Sequence, residues 1–130
     1  MRWTDAIYFA GEPLIRSGSI VEKYLDSIIS QTMYYGTYMF INSDVMLAHA
    51  KPQDGVNHLD LSLTIFKTPI TFNENRAAKM IFMLCAEDNE RHLKIMNELL
   101  TLAEADENLS RLSAASSAEE ILTAMKEILQ

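Results

Sequence analysis

Apolar and polar positions recur along this chain in two different periods, and each change of period marks an element. From Trp3 to Arg16 the apolar residues Ile7, Ala10 and Leu14 fall at three- and four-residue spacing, which predicts a helix. Pro13 inside it lacks an amide N–H and should bend or end the helix nearby. Ser17-Gly18 then breaks the chain. Ser19 and Glu22 have the spacing of a capping box. Tyr24, Leu25, Ile28 and Ile29 give the second helix its apolar face, and Gly36 is its stop.

The middle of the chain reads as strands. Two short apolar runs, Tyr38–Ile41 and Val45–Leu47, form a pair split by the polar triplet Asn42-Ser43-Asp44. The second run ends at His49, and Ala50-Lys51-Pro52-Gln53-Asp54-Gly55 reads as a loop. From Leu59 to Phe66 the period is two: Leu59, Leu61, Leu63 and Ile65 alternate with Asp60, Ser62 and Thr64, giving one buried and one polar face. Thr68-Pro69 ends that strand, Ile70-Thr71-Phe72 is a brief extension, and Asn73 to Arg76 is turn-like. Met80 to Cys85 is continuously apolar, the pattern of a central strand covered on both faces.

Helical spacing then returns. Asp88 or Asn89 can cap a helix with Leu93, Met96, Leu99, Leu100 and Ala103 on one face, and Asp106-Glu107-Asn108 interrupts it. A last helix opens with Ser117 and Glu120 as a second capping box and buries Ile121, Leu122, Met125, Ile128 and Leu129. The order predicts an α/β fold, a mixed β-sheet sandwiched between α-helices, as a single domain over residues 1–130.

Charge narrows the functional classes. Eleven basic and 18 acidic residues give a net charge of −7, so there is no basic cluster to neutralise nucleic-acid phosphates, and anionic membranes are not favoured. No apolar run approaches the ~20 residues a membrane span needs. The N-terminal MRWTDAIYF carries Asp5 and lacks a signal-peptide core. The one cysteine, Cys85, excludes an internal disulfide, fits a reducing cytosol, and lies in an apolar run as a small hydrophobe.

Candidate chemistry rests on histidines. His49 sits where a strand hands over to a loop, held on one side and open to solvent on the other. His92 lies in the first turn of a helix, where the helix dipole lowers a histidine pKa and attracts anions. A neutral imidazole is a competent nucleophile toward phosphorus, and first-turn backbone amides can hold phosphate oxygens. If the strands before them run parallel, both side chains emerge at one sheet edge, where sites in such folds gather. A lone histidine at a strand end is more often ordinary hydrogen-bonded structure, so spacing alone leaves both readings open. His58, beside Asn57 and Asp60, reads as a solvated loop residue. A zinc site from His49, His92 and Cys85 lacks short ligand spacing. No phosphate-binding glycine loop, serine elbow or dinucleotide fingerprint is present.

Three stretches carry a resemblance: LAHAKPQDGV, LSLTIFKTPITF and MLCAEDNERHLKIMNELLTLA. Together they resemble the enzyme IIA proteins of the bacterial phosphoenolpyruvate-dependent sugar phosphotransferase system, in the mannitol/fructose superfamily and its ascorbate-type branch. The likeness runs from Trp3-Thr4-Asp5-Ala6-Ile7 to the last helix. Its most specific parts are the histidine followed by Pro52 to Val56 and the pair His92-Leu93 after a buried strand. The resemblance implies the phosphotransferase/anion-transport-like form of the fold. It also implies that His49 is the phosphorylated nucleophile of a cytoplasmic phosphotransferase. His49 would take its phosphoryl group from phospho-HPr and pass it to a cysteine of enzyme IIB, and so indirectly to the membrane enzyme IIC, for uptake of an ascorbate-like or pentitol-like substrate. His92 would stabilise the phosphate. No metal or organic cofactor is implied. Met46, Leu47, Ala50 and Lys51 are the candidates for a partner surface around His49.

Some positions depart from the family pattern. Ala48 stands where a proline usually precedes the histidine, Ser43-Asp44 where a Pro-Gly turn is usual, and Lys51 where arginine is common. Relatives usually carry a further helix and strand before the Trp3 segment, so the chain reads as a short member or a piece of something longer. Those departures also suit a second role, an enzyme IIA-like regulatory domain of a transcription regulator or antiterminator that reports phosphorylation state.

Overall fold

Helix α1 spans Trp3–Arg16, and Pro13 does not stop it: the helix continues one turn to Arg16 in this computed structural model. The structure describes residues 1–115 together with 119, 120, 123, 124 and 127. The stop comes at Gly18, whose φ of 76° is left-handed. There the Gly18 amide donates to the Ile15 carbonyl and the Ser19 amide to the Leu14 carbonyl, at 3.0 and 2.9 Å, a Schellman closure. Helix α2 spans Glu22–Tyr35 and ends at Gly36, φ 79°, as its sequence implied. The capping box expected from Ser19 and Glu22 does not form; Val21 is the cap residue and, among the described residues, no side chain caps the helix. Ser19 is instead fully buried and its hydroxyl is engaged elsewhere.

Three strands follow: β1 (Val45–Ala48), β2 (Asp60–Asn73) and β3 (Arg76–Cys85). Among the described residues they form one mixed sheet in the order β1-β3-β2. β1 runs parallel to β3, with Val45 opposite Met80 and Ala48 opposite Met83, and β2 runs antiparallel, with Leu61 opposite Leu84. The expected strand Tyr38–Ile41 is reduced to an isolated bridge between Phe40 and Met46. Asn42 closes the turn between them, its Oδ1 accepting the Asp44 and Val45 amides at 2.8 and 2.9 Å. This Asx turn occupies the Ser43-Asp44 positions, where the resemblance would have a Pro-Gly turn.

β2 is longer than predicted. Pro69 does not end it, because the register slips between Ile65 and Ile70, and the strand resumes beyond this irregularity. Asn73 to Arg76 then forms the expected hairpin turn. Met80 to Cys85 is buried at every position, as its unbroken apolar run required. Ile81, Met83 and Cys85, with Met46 and Ala48 of β1, share one core with Ala6, Ile7, Ala10 and Leu14 of α1 and Tyr24, Leu25 and Ile28 of α2. Val45, Leu47, Met80, Phe82 and Leu84 point to the other face and are buried too. The one buried face expected in β2 does not form: Asp60 to Phe66 are all half-buried, and the polar side packs too, with Ser62 Oγ donating to the Ala10 carbonyl of α1 at 3.0 Å.

Residues 1–92 and 93–130 form two compact units. Helix α3 (Asn89–Ala103) starts at Asp88, whose Oδ1 accepts the Arg91 amide at 2.8 Å. Leu99, Leu102 and Ala103 are its buried residues, while Leu93 and Leu100, expected on the same face, are exposed. A helix α4 (Asp106–Ala114) opens at the residues read only as an interruption, and Asn108 Nδ2 donates to the Leu102 carbonyl at the end of α3. Of the predicted last helix, Glu119, Glu120, Thr123, Ala124 and Glu127 are helical; Ser117, Ile121, Leu122, Met125, Ile128 and Leu129 lie outside the described residues.

A polar knot ties the Gly18 turn to the start of β2. Ser19 Oγ donates to Asp60 Oδ2 at 2.6 Å, and Ser17 Oγ lies 3.1 Å from the same oxygen. Because the Ser19 proton goes to the carboxylate, His58 Nε2, 2.9 Å from Ser19 Oγ, must donate. His58 is thus exposed, as expected, but also bonded. Burial alone would raise the Asp60 carboxyl, but hydrogen bonds from Ser19, the Leu61 amide and Ser17, with the charge of His58, hold it below the ordinary range. A depressed folded-state carboxyl stabilises fully above its unfolded-state pKa of about 3.9, and this stabilisation is lost as pH falls through the folded-state value. Asp60→Asn is therefore expected to lower the urea midpoint at pH 7, with the gap to wild type closing as pH drops below about 4. A gap independent of pH would show that the charge of Asp60 contributes nothing.

Candidate active site

The parallel pairing of β1 and β3 decides the site, because it brings the two chain exits that carry His49 and His92 to one edge of the sheet. The imidazole rings lie 5.1 Å apart, centre to centre, inclined at 58°. They open on a cleft of about 190 Å³ lined by Gln31, His49, Ala50, Lys51, Pro52, Asn89 and His92.

His49 is held in one tautomer. Its Nδ1 is 2.8 Å from the Leu47 carbonyl, and a carbonyl can only accept, so Nδ1 carries the proton. In the neutral ring Nε2 then keeps its lone pair. Burial lowers the His49 pKa, partly opposed by the Leu47 hydrogen bond, so the ring stays neutral to lower pH than a free histidine. Burial, and then the neighbouring His49, lower the pKa of His92 as well. The Nδ1 of His92 is buried and has no hydrogen-bond partner among the described residues. A bare lone pair there costs less than an unpaired N–H, which favours the tautomer with the proton on Nε2.

The loop after His49 is fixed from α2. Ser27 Oγ donates to Asp54 Oδ2 at 2.8 Å, in the short 3-10 turn Pro52–Asp54, and Gln31 Nε2 donates to Ser27 Oγ at 3.2 Å. Tyr38 completes the chain by donating to Gln31 Oε1 at 2.7 Å, with its ring edge-on to His49 at 6.5 Å. Gly55 has φ 132°, and a Cβ there would lie 2.8 Å from Val21 Cγ2, so only glycine suits the end of this loop. The first turn of α3 is less open to anions than its dipole suggests, since Asp88 already takes the Arg91 amide with its side chain and the His92 amide with its carbonyl.

The model of the family "Phosphoenolpyruvate-dependent sugar phosphotransferase system, EIIA 2" matches residues 1–128. The chain belongs to this family. It is a phosphotransferase of enzyme IIA type, a phosphoryl-relay component of a sugar-transport system. The ascorbate-specific EIIA component of Shigella dysenteriae serotype 1 is 26% identical over 123 residues, 92% of this chain and 80% of that protein. The crystal structure of PtxA from Streptococcus mutans superimposes with a TM-score of 0.90 at 28% identity, covering 98% of this chain and 82% of that one. The complex of the mannitol enzyme IIA with phosphorylated enzyme IIB from Escherichia coli matches in fold, with a TM-score of 0.81 at 19% identity over 97% of this chain and 88% of that chain.

The enzyme IIA chain keeps His49, His92 and Lys51 together at the cleft, but of the four residues expected on a partner surface only Lys51 is exposed. Met46 and Leu47 are 1% and 0% exposed, because both faces of β1 are covered, and Ala50, although it lines the cleft, is buried beside Tyr24. Ala48, likewise, is core. Cys85 does not line the cleft; its thiol is directed at the His58 and Asp60 carbonyls. Sequence reading missed Gln31, Tyr38 and Asn89. They are polar or aromatic residues that no periodicity singles out. Exposed aromatic rings lead away from this site through Tyr38, 5.9 Å from Tyr35, which is 4.7 Å from Tyr34 at the end of α2; they are 50%, 67% and 81% exposed.

Proposed function

We propose that Nε2 of His49 is the atom that carries the phosphoryl group in a cytoplasmic phosphotransferase relay. The observation that supports this most is the Leu47 carbonyl on Nδ1, which leaves Nε2 as the nucleophilic nitrogen. In the first step the Nε2 lone pair attacks the phosphorus held by phospho-HPr. The Nε2–P bond forms as the bond from phosphorus to HPr breaks. No proton leaves the ring, and the positive charge it gains is stabilised through Nδ1–H by the Leu47 carbonyl. Positioning and charge stabilisation account for most of such a transfer. Lys51, lining the cleft, supplies the cation for the phosphoryl oxygens, and His92 donates to them from Nε2. In the second step a cysteine of enzyme IIB attacks the same phosphorus and His49 is regenerated neutral. The mannitol relative solved with its phosphorylated IIB supports that partner class. The ascorbate-specific relatives favour a sugar acid as the final substrate, chosen by the membrane enzyme IIC.

The test is intact-mass spectrometry after mixing the chain with phosphoenolpyruvate, enzyme I and HPr. One added, acid-labile phosphate is expected; none, with HPr charged, would refute the relay. The surface on which HPr docks is expected to include Tyr34 and Tyr35, whose rings contact at 4.7 Å beside Tyr38 at 5.9 Å. Replacing both by serine should raise the KM for phospho-HPr about tenfold, the size of effect truncated interface tyrosines give, while leaving the melting temperature nearly unchanged. An unchanged KM would place docking elsewhere.

A further inference from the structure

Tyr24 is fully buried in α2, yet its hydroxyl lies between the two strand exits that carry the site. It donates to the Leu84 carbonyl at 2.6 Å and accepts from the Ala50 amide at 2.9 Å, with the Ala50 carbonyl also 3.3 Å away. Ala50 directly follows His49. Leu84 is the last residue but one of β3, whose exit leads to His92. The paired register of β1 and β3 ends at Ala48 and Met83, so beyond that point the strands no longer hold each other. The Tyr24 hydroxyl spans the gap where the ladder stops. One phenol supplies both bonds, a single proton for the carbonyl and a lone pair for the amide. Burial also pushes the Tyr24 pKa far up, so the proton stays in place at any working pH.

We propose that Tyr24 is a positioning residue for phosphoryl transfer, holding the segment of His49 at a fixed distance from the exit of β3 and so setting the spacing between the His49 and His92 rings. The inference rests on the relay reading above. Loss of the hydroxyl leaves a buried amide and a buried carbonyl unpaired, and the two exits can then separate.

The experiment is a double-mutant cycle of Tyr24→Phe with His92→Ala, read as the rate of His49 phosphorylation by phospho-HPr. Histidine titrations followed by NMR accompany it. Tyr24→Phe is expected to slow transfer about tenfold, within the ~10²-fold that a displacement of 1 Å can cost. His92→Ala should cost less in the Tyr24→Phe background than in wild type, because the two changes remove one shared geometry. The His92 titration should move up in Tyr24→Phe as His49 recedes from it. A wild-type rate in Tyr24→Phe overturns the proposal, as do fold-changes that simply multiply while the His92 titration stays put; a residue that only stabilises the fold would give that pattern. If Tyr24→Phe folds poorly, 4-fluorophenylalanine at position 24 fills the same volume without a donor, and sucrose favours the folded state for both variants. If wild type accepts no phosphate, the relay reading fails, and the His92 titration in Tyr24→Phe still decides whether Tyr24 sets the spacing.

Discussion

His49→Ala is expected to abolish phosphate uptake from phospho-HPr, leaving no added mass, while the protein stays folded. The ring is half-buried at a strand exit, and its hydrogen bond among the described residues joins it to Leu47 in the same segment, so little of the fold depends on it. His49→Gln is the sharper control, since an amide can replace the bond to Leu47 but has no nucleophilic nitrogen. It should be equally inactive, and a phosphorylated His49→Gln protein would move the carrier to another residue. His92→Ala should slow uptake by about 10²-fold without abolishing it, the usual cost of removing one donor to a developing charge. The pH profile follows from burial. The folded-state His49 pKa lies below the ordinary 6.5, so the nucleophilic neutral form persists as pH falls past 6.5. The rate of uptake is therefore expected to hold through pH 6.5 and to decline only at lower pH. A decline centred above 6.5 would contradict the desolvated, tautomer-locked ring.

Gly11→Ala is expected to destabilise the protein by about 1–2 kcal/mol, although alanine is the better helix former. A Cβ at position 11 would lie 2.3 Å from Leu25 Cδ2, 2.9 Å from Cδ1 and 3.1 Å from Cγ. Leu25 is 2% exposed, so it has no solvent to retreat into and must repack against the shared core. Such overpacking typically costs 1–3 kcal/mol, and the gain in helix propensity returns about 1 at most. For a chain of this size the melting temperature should drop by roughly 3–8 °C. In a Leu25→Ala background, which opens space at that contact, Gly11→Ala should cost little or nothing further. An undiminished melting temperature for Gly11→Ala alone would mean that α1 and α2 part at little cost. The consequence would reach the site, because α2 carries Tyr24, Ser27 and Gln31, the residues that tie down the loop after His49.

Local pattern and local chemistry were enough for much of this protein. The 3.6-residue period of Ile7, Ala10 and Leu14 made α1, and Gly36 stopped α2, because helix faces and left-handed turns are decided within a few residues. Six consecutive apolar residues made β3 a central strand buried on both faces. The histidine with its Pro52–Val56 loop and the later His92 were legible as a pair, because their chemistry is carried by residue type and order. Other features depended on partners distant in the chain. Ser19 has the spacing of a cap, but Asp60, 41 residues on, offers it a charged acceptor and wins. Leu93 and Leu100 match a helical stripe and still face solvent, since periodicity finds a face and not what covers it. Met46, Leu47 and Ala50 stand close to His49 in sequence, but the first two are buried by their neighbours in the sheet and Ala50 beside Tyr24 of α2. The 5.1 Å approach of the two histidines and the Tyr24 bridge arise from the parallel pairing of β1 with β3 and the packing of α2 against them. No sequence period encodes that pairing, because strand order is settled by which faces can be buried together.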